Sequence, residues 1–389
     1  MASICLVAGD PSGDQHAARL IDALKARDPT LRFSGLGGPA MQRAGLALLD
    51  DLTTTATIGP FDASRHLARF LRAKRLLEQH LTAQRPDLVI LVDFGDFNLP
   101  VVAPLVKRHR IPVLYYISPQ VWAWGRWRLR YIRRFVERMV VFFPFEEAFY
   151  RREGIPVTWV GHPLMDGARS TVSKADAVTR LSLNPWRMTV GLLPGSRADE
   201  LRRHLPLMLS AARRIAWRMP GVQFLLPKAP TVSREALNAL LARTRLEVSV
   251  TEGAASDALP AMDCAIVTSG TATLETALGE VPMVVVYRTS WPTYLAARAV
   301  IRIPHIALVN VVAGRAVVPE FLQHRASPAR IAATVVELLR NDAQRRAMQE
   351  GLREVRTRLG EPGAVERAAG VVLEVLNAQK SELRSQTSE

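Results

Sequence analysis

Asp93 and Asp96 lie in the segment Asp93-Phe94-Gly95-Asp96-Phe97-Asn98, directly after the apolar run Leu88-Val89-Ile90-Leu91-Val92. A carboxylate at the C-terminal end of a buried parallel strand sits at the mouth of a cleft, and partial burial raises its pKa toward that of a general base. Two acids three residues apart need not converge, so the pattern predicts one base and one structural cap. The bland alternative is a loop whose acids only cap the next helix. Gly9-Asp10-Pro11-Ser12-Gly13-Asp14 also follows an apolar run. A small-residue turn entering a helix presents backbone N–H groups to an anion or polar ligand. Its plain reading is a βα turn with Ser12 or Asp14 as N-cap.

Two more segments have the chemistry of a diphosphate cradle. Leu193-Pro194-Gly195-Ser196-Arg197, with Glu200 beyond it, offers backbone amides and a guanidinium able to grip phosphate with two bonds. Thr268-Ser269-Gly270-Thr271-Ala272-Thr273-Leu274-Glu275 opens a helix with small hydroxylic residues. It suits phosphate at the helix N-terminus, with Glu275 one turn in accepting from ribose hydroxyls. Either segment alone is compatible with ordinary turn chemistry; together they favour a nucleotide-diphosphate site. Ser118-Pro119-Gln120-Val121-Trp122-Ala123-Trp124-Gly125-Arg126-Trp127, followed by Arg128, Arg130, Arg133 and Arg134, interleaves aromatics with cations. Such a stretch stacks bases, docks a sugar, lies on a membrane, or is a solvated helix with core tryptophans.

No histidine pair has HxH or HExxH spacing, and Cys5 and Cys264 stand far apart. Neither a zinc site nor a disulfide framework is expected, and the two thiols suit a reducing cytosol. No metal and no cofactor are predicted.

The elements that must position these residues read as alternating short apolar runs and amphipathic stretches, the pattern of parallel sheets with covering helices. Strands are predicted at 3–8, 31–36, 88–92, 112–117, 139–143 and 157–160, then at 188–193, 222–227, 246–250, 263–268 and 282–287. The break at 161–187 is the candidate linker. After Pro328 the chain reads as helix. The fold class is therefore α/β, with two Rossmann-like domains at 1–165 and 166–350 and closing helices at 351–378 that pack back on the first domain. A frayed tail covers 379–389, and the site is expected in an interdomain cleft.

The 389 residues are 48% hydrophobic and 22% charged, which excludes wholesale disorder. Lys+Arg is 51 against Asp+Glu 36, a net charge of +15. That balance favours an anionic partner, whether nucleic acid, lipid headgroups or a phosphorylated substrate. No groove-reading motif supports nucleic acid, which is not expected as a partner.

Taken together, the motifs resemble the lipid-A-disaccharide synthase family, glycosyltransferases of the two-Rossmann-domain (GT-B) type. The resemblance rests on AGDPSGD (8–14), GLGGPAMQRAG (35–45), DFGDFN (93–98), YISPQVWAW (116–124), FPFEEAFY (143–150), VGHPLMD (160–166), LLPGSRADE (192–200), TSGTATLE (268–275) and NVVAGRAVVPEFLQ (310–323), in family order. There are departures. Asp10 stands where the family has Glu, Val309 replaces a Pro, and Thr57–Asp62 differs from a stretch that engages acyl chains.

The resemblance implies transfer from UDP-2,3-diacylglucosamine to 2,3-diacylglucosamine 1-phosphate, forming a β(1→6) bond with inversion and releasing UDP. By carry-over, Asp93 is the base, Arg197 stabilises the diphosphate, and Asn310 belongs with them in the catalytic set. Gly195, Ser196, Ser269, Gly270, Thr271, Glu275 and Asn310 join Arg197 around UDP. Ser12, Asp96, Asn98, Ser118, Trp122 and Trp124 face the acceptor. A homodimer is among the assemblies the family forms. Another GT-B enzyme using a UDP-sugar, an epimerase or soluble-acceptor transferase, is the alternative.

Acylated substrates imply a cytoplasmic protein, peripheral on the inner face of the inner membrane. No apolar run is long enough to span. Residues 64–81 bring Leu67, Phe70, Leu71 and Leu77 near one helical face, flanked by Arg65, Arg69, Arg72 and Arg75. The stretch 122–134, and Tyr294, Leu295, Arg298, Ile301 and Arg302, offer two further contacts with an anionic membrane surface.

Overall fold

The structure is a computed structural model that describes residues 1–53, 63–167, 172–301 and 303–386, with 63–67 and 380–386 described along the main chain only. Thr57–Asp62, where the sequence departs from the family pattern, lies outside the described residues, as do the side chains of Arg65 and Leu67.

The chain forms two compact units. The first is Met1–Asp166 with Gly360–Glu389, and the second is Gly167–Leu359. In the first, seven strands are β1 Ser3–Ala8, β2 Arg32–Gly37, β3 Ala47–Asp51, β4 Leu88–Val92, β5 Val113–Tyr116, β6 Arg138–Val141 and β7 Val157–Trp159. All pair in parallel, in the order β3-β2-β1-β4-β5-β6-β7. Central strands covered on both faces need continuous apolar runs, and every residue of β4 is buried. Successive residues of β1 serve opposite faces. Ile4, Leu6 and Ala8 pack with Leu20, Ile21 and Leu24 of helix Pro11–Arg27 and with Ala368, Val372 and Leu376 of helix Ala364–Gln386. Cys5 and Val7 pack on the other side with Leu77 and Leu81 of helix Ala63–Gln84. Both cysteines are free and buried, and burial pushes their thiols up to about 12.

The second unit has six parallel strands: β8 Thr189–Leu193, β9 Gln223–Lys228, β10 Ser249–Glu252, β11 Cys264–Thr268, β12 Met283–Tyr287 and β13 Glu320–Leu322, in the order β10-β9-β8-β11-β12-β13. β3 and β13 are edge strands that the sequence reading did not include.

The closing helices divide between the units. Helix Asp342–Arg358 buries Met348, Leu352 and Val355 within the second unit, and Arg358 donates to the carbonyls of Val312 (3.1 Å) and Ala313 (2.8 Å). Helix Ala364–Gln386 alone returns to the first unit. Asp166 fastens its start by accepting from the backbone N–H groups of Gly363 (2.6 Å), Ala364 (3.1 Å) and Val365 (3.3 Å).

Candidate active site

Each sheet has one place where neighbouring strands lead their following loops in opposite directions. In the first sheet it lies between β1 and β4, and in the second between β8 and β11. Ligands of open parallel sheets bind at these crevices. The loops there are Gly9–Asp14 with Asp93–Asn98, and Pro194–Arg197 with Ser269–Thr271. Strand order thus groups four motifs that lie far apart in sequence into two pairs.

Asp93 follows β4 with φ +43°, and Phe94 has φ +51°. Two successive non-glycine residues in the left-handed region cost about 1–3 kcal/mol each, so the surroundings must hold them there. The Asp93 N–H donates to the Tyr116 carbonyl (3.0 Å), while its carbonyl accepts from the Tyr115 hydroxyl (2.6 Å) and the Asn98 amide (2.9 Å). The Phe94 ring lies against Gly9, where any Cβ would collide with it, and meets Phe97 and Phe70. The β4 turn therefore requires glycine after β1. At the end of β5, Ile117 is also left-handed (φ +69°).

The Asp93 carboxyl is pushed up to about 7, first by burial and then by the charge of Asp10; the Phe94 N–H and Arg128 oppose this. Asp10 itself caps helix Pro11–Arg27 through the Gly13 N–H (2.9 Å). Asp14 is a buried brace that accepts from Gly38 (2.9 Å), Ala40 (2.9 Å) and Met41 (3.0 Å). Ser12 is exposed in the helix's first turn.

Arg128 is the residue the sequence reading left out of the site. Its side chain is 3% exposed, whereas that of its ion-pair partner Asp96 is 74% exposed. The guanidinium lies 4.0 Å from the centre of the Trp124 ring, and its Nε is buried without a partner. A buried cation beside Asp93 favours the ionised form of its carboxyl. Arg126, Arg130, Arg133 and Arg134 share the same local pattern; burial alone separates Arg128 from them.

Several residues expected to face the acceptor turn inward. Asn98 is fully buried and donates to the carbonyls of Val7, Val92 and Asp93, so it ties the ends of β1 and β4 together. Ser118 is buried, donating to Pro119 or bonding the Tyr150 hydroxyl at 2.7 Å. The Trp122 indole N–H donates to Glu146 (3.1 Å), a buried carboxyl that burial pushes up to about 7. This network fixes the loop that carries Trp124 and Arg128. Glu146 and Tyr150 were visible in the sequence only as part of FPFEEAFY.

In the second unit, Gly195 (φ +107°) turns the chain after β8. The Arg197 side chain is 74% exposed, 3.3 Å from Glu200. Glu200 also accepts from the backbone N–H groups of Ser196 (3.1 Å) and Arg197 (3.3 Å). The amides expected to cradle a diphosphate are thus capped by the protein's own carboxylate. Helix Thr271–Leu278 differs. It starts at Gly270 (φ +153°) with no side-chain cap and no acid in its first turn. Ser269 donates to the Ile306 carbonyl (2.9 Å), and burial raises the carboxyl of half-buried Glu275, which has no hydrogen-bond or ion-pair partner among the described residues.

Asn310 is fully buried and fully engaged. Its amide donates to Val318 and Glu320 (both 2.8 Å), and its oxygen accepts from Val317 (2.8 Å) and Val318 (3.0 Å). It pins the 314–320 loop and has no hydrogen-bonding capacity left for a ligand, contrary to the direct contact expected from the sequence. Asn310→Ala should destabilise the second unit by about 2–4 kcal/mol, because buried partners lose their bonds. A urea midpoint equal to that of the unaltered chain would remove this structural role.

Among the described residues, no group of three or more His, Cys, Asp and Glu converges to hold a metal ion, and no helix is long and apolar enough to cross a membrane.

Two parallel-sheet units with loops paired at each switch point define the class of GT-B glycosyltransferases and their epimerase relatives. The calicheamicin glycosyltransferase CalG4 aligns with a TM-score of 0.61 at 15% identity, covering 97% of this chain and 98% of its own. The S. aureus MnaA-UDP co-structure aligns with a TM-score of 0.65 at 14% identity, covering 97% of each chain. These likenesses establish the fold. Within that class, the chain belongs to the lipid-A-disaccharide synthetase family, whose model matches residues 4–375. It is 44% identical over 376 residues to the lipid-A-disaccharide synthase of Geobacter sulfurreducens, covering 97% of this chain and 98% of that protein. It is accordingly an enzyme, a hexosyltransferase of lipid A biosynthesis.

Proposed function

We propose that this enzyme transfers the diacylglucosamine unit of UDP-2,3-diacylglucosamine to the 6-hydroxyl of 2,3-diacylglucosamine 1-phosphate. The products are the β(1→6)-linked disaccharide 1-phosphate and UDP. The observation that carries the reading is Asp93, a carboxyl held by a strained turn at a strand end and pushed up to about 7. A base must be ionised often enough to act and basic enough to take a proton near neutrality, and that position satisfies both.

The donor linkage is α and the product β, so one displacement with inversion suffices. Asp93 accepts the proton of the acceptor 6-hydroxyl as its oxygen bonds the sugar C1. The bond from C1 to the diphosphate oxygen breaks, and that oxygen keeps the electron pair in UDP. Arg197 and the open start of helix Thr271–Leu278, with Ser269, Gly270 and Thr271, stabilise the growing negative charge. Glu275 accepts from the ribose hydroxyls. Gly195 and Ser196 line the diphosphate side once Glu200 yields the amides of Ser196 and Arg197. Ser12, Asp96 and Trp124 serve the acceptor, while Asn98, Ser118, Trp122 and Asn310 support the loops that carry the others. UDP named with the S. aureus co-structure supports a nucleotide on this fold. The membrane partner is an anionic bilayer surface.

The deciding experiment mixes purified protein with both diacylglucosamine substrates and measures UDP. Release that requires both is expected; no release, or equal release without the acceptor, overturns the reading. Activity should also persist in excess EDTA, because guanidinium and helix N-terminus supply the positive charge at the diphosphate. Complete inactivation that Mg²⁺ reverses would show that charge to be a cation's.

A further inference from the structure

Residues 64–81 are one of the three stretches that the sequence offers for contact with lipid, but the structure gives most of the described apolar stripe of helix Ala63–Gln84 to the core. Leu77 is fully buried, and Phe70 stacks on Phe97 with ring centres 5.1 Å apart. Two of its cations are engaged as well. Arg69 donates to the Asp51 carbonyl, and Arg72 lies 3.6 Å from Asp50. Leu71 remains exposed.

Helix Trp291–Val300 is built the opposite way. None of its ten residues is buried. Trp291 and Leu295, one turn apart, are 57% and 60% exposed, and Val300 is 51% exposed. Soluble surfaces rarely leave a helix this apolar without a partner. Tyr294 and Arg298, also one turn apart, line a cavity of about 360 Å³ together with His305, Glu320, His324 and Arg325. The single acid there is occupied: Glu320 accepts from the N–H groups of Ile306 (3.0 Å) and Ala307 (3.2 Å) and from Asn310 (2.8 Å). Arg298 and Arg325 have no carboxylate partner among the described residues. The arrangement is an exposed apolar helix over a cavity with two guanidinium groups that form no ion pair among the described residues.

We infer that this helix and cavity form a docking surface for an anionic phospholipid bilayer. The inference deepens the membrane-attachment part of the proposed function and rests on it. Guanidinium groups bind headgroup phosphates through paired, charge-assisted bonds. An indole and a leucine on the adjoining face enter the interfacial layer, where tryptophan is favoured. The net charge of +15 supplies longer-range attraction to the same surface. Two different chemistries, apolar exposure and unpaired cations, thus meet on one element and call for one occupant that carries both acyl chains and phosphate.

Vesicle flotation of the full chain tests this. The unaltered protein should bind phosphatidylglycerol vesicles in low salt, better than phosphatidylcholine vesicles, and release by about half-molar NaCl as screening shortens the reach of its charges. Trp291→Ser with Leu295→Ser should weaken binding to both vesicle types by at least about tenfold. Arg298→Gln with Arg325→Gln should remove most of the preference for phosphatidylglycerol, since each cation near the surface contributes about fivefold. Brominated lipid should quench part of the tryptophan fluorescence, and Trp291→Phe should abolish that part. If the unaltered protein floats and both double variants float equally, with quenching unchanged in Trp291→Phe, the helix is not the docking element although attachment stands. If the unaltered protein never floats, attachment itself fails.

Discussion

Asp93→Asn should reduce sugar transfer by about 10²–10⁴-fold, the usual loss when a general base is removed. UDP affinity should stay near that of the unaltered enzyme, because the proposed nucleotide contacts lie in the second unit and Asp93 in the first. The pH profile gives a second readout. With its carboxyl pushed up to about 7, kcat/KM should rise through that value and level off above it. The residual rate of the Asn variant should lose this limb.

Stability should move the other way. A carboxyl whose pKa is near 7 when folded and near 4 when unfolded holds its proton more tightly in the fold. Its contribution to stability is therefore lost as pH rises from about 4 to about 7, and the deficit persists above. An amide escapes that penalty, so the variant should be more stable than the parent at pH 8, by on the order of 1–3 kcal/mol, and closely similar at pH 4. A variant retaining more than a tenth of parental turnover would remove Asp93 as the base. The role would then pass to Asp96, the other acid of the same loop.

The strands of both sheet centres were legible because burial on two faces demands uninterrupted apolar runs, as in β1, β4, β8 and β11. Of the four edge strands, β7 and β10 were legible too, but β3 and β13 were not. β3 reads Ala-Leu-Leu-Asp-Asp and β13 Glu-Phe-Leu, neither has a fully buried residue, and so neither carries that signature. The four site loops were legible as loops, since glycine and small polar residues follow each run. Their pairing was not, because strand order is a tertiary fact that no local window contains.

The same limit explains Asn98, Ser118 and Asn310. A polar residue beside a strand end looks alike whether it faces a ligand or fastens backbone, and only its burial and partners decide. Arg128 illustrates the converse. Nothing local sets it apart in a run of arginines, and its significance lies in a buried position between Trp124 and Asp96. The Ala63–Gln84 stripe shows that periodicity finds an apolar face without saying whether protein or lipid covers it.

Arg197→Ala should weaken both UDP binding and turnover, and turnover more. Negative charge on the diphosphate grows as the bond to the sugar breaks, so a guanidinium there stabilises the transition state beyond the ground state. Loss of one such group typically costs about 10²–10³-fold in kcat. The local structure argues for the upper part of that range. Glu200 is held at the start of helix Ala198–Arg218 by the N–H groups of Ser196 and Arg197, and the Arg197 side chain, 3.3 Å away, is its counterion. Removing the guanidinium leaves a carboxylate facing the approaching diphosphate, so repulsion adds to the lost attraction. The side chain is largely exposed, so the fold should be little affected. Arg197→Lys should rescue poorly, because an ammonium restores the charge but not the planar fork that holds two phosphate oxygens at once. Calorimetry with UDP and single-turnover kinetics separate the two effects. Unchanged UDP affinity in Arg197→Ala, or full turnover in Arg197→Lys, would remove Arg197 from the diphosphate site and leave the start of helix Thr271–Leu278 as its principal anion contact.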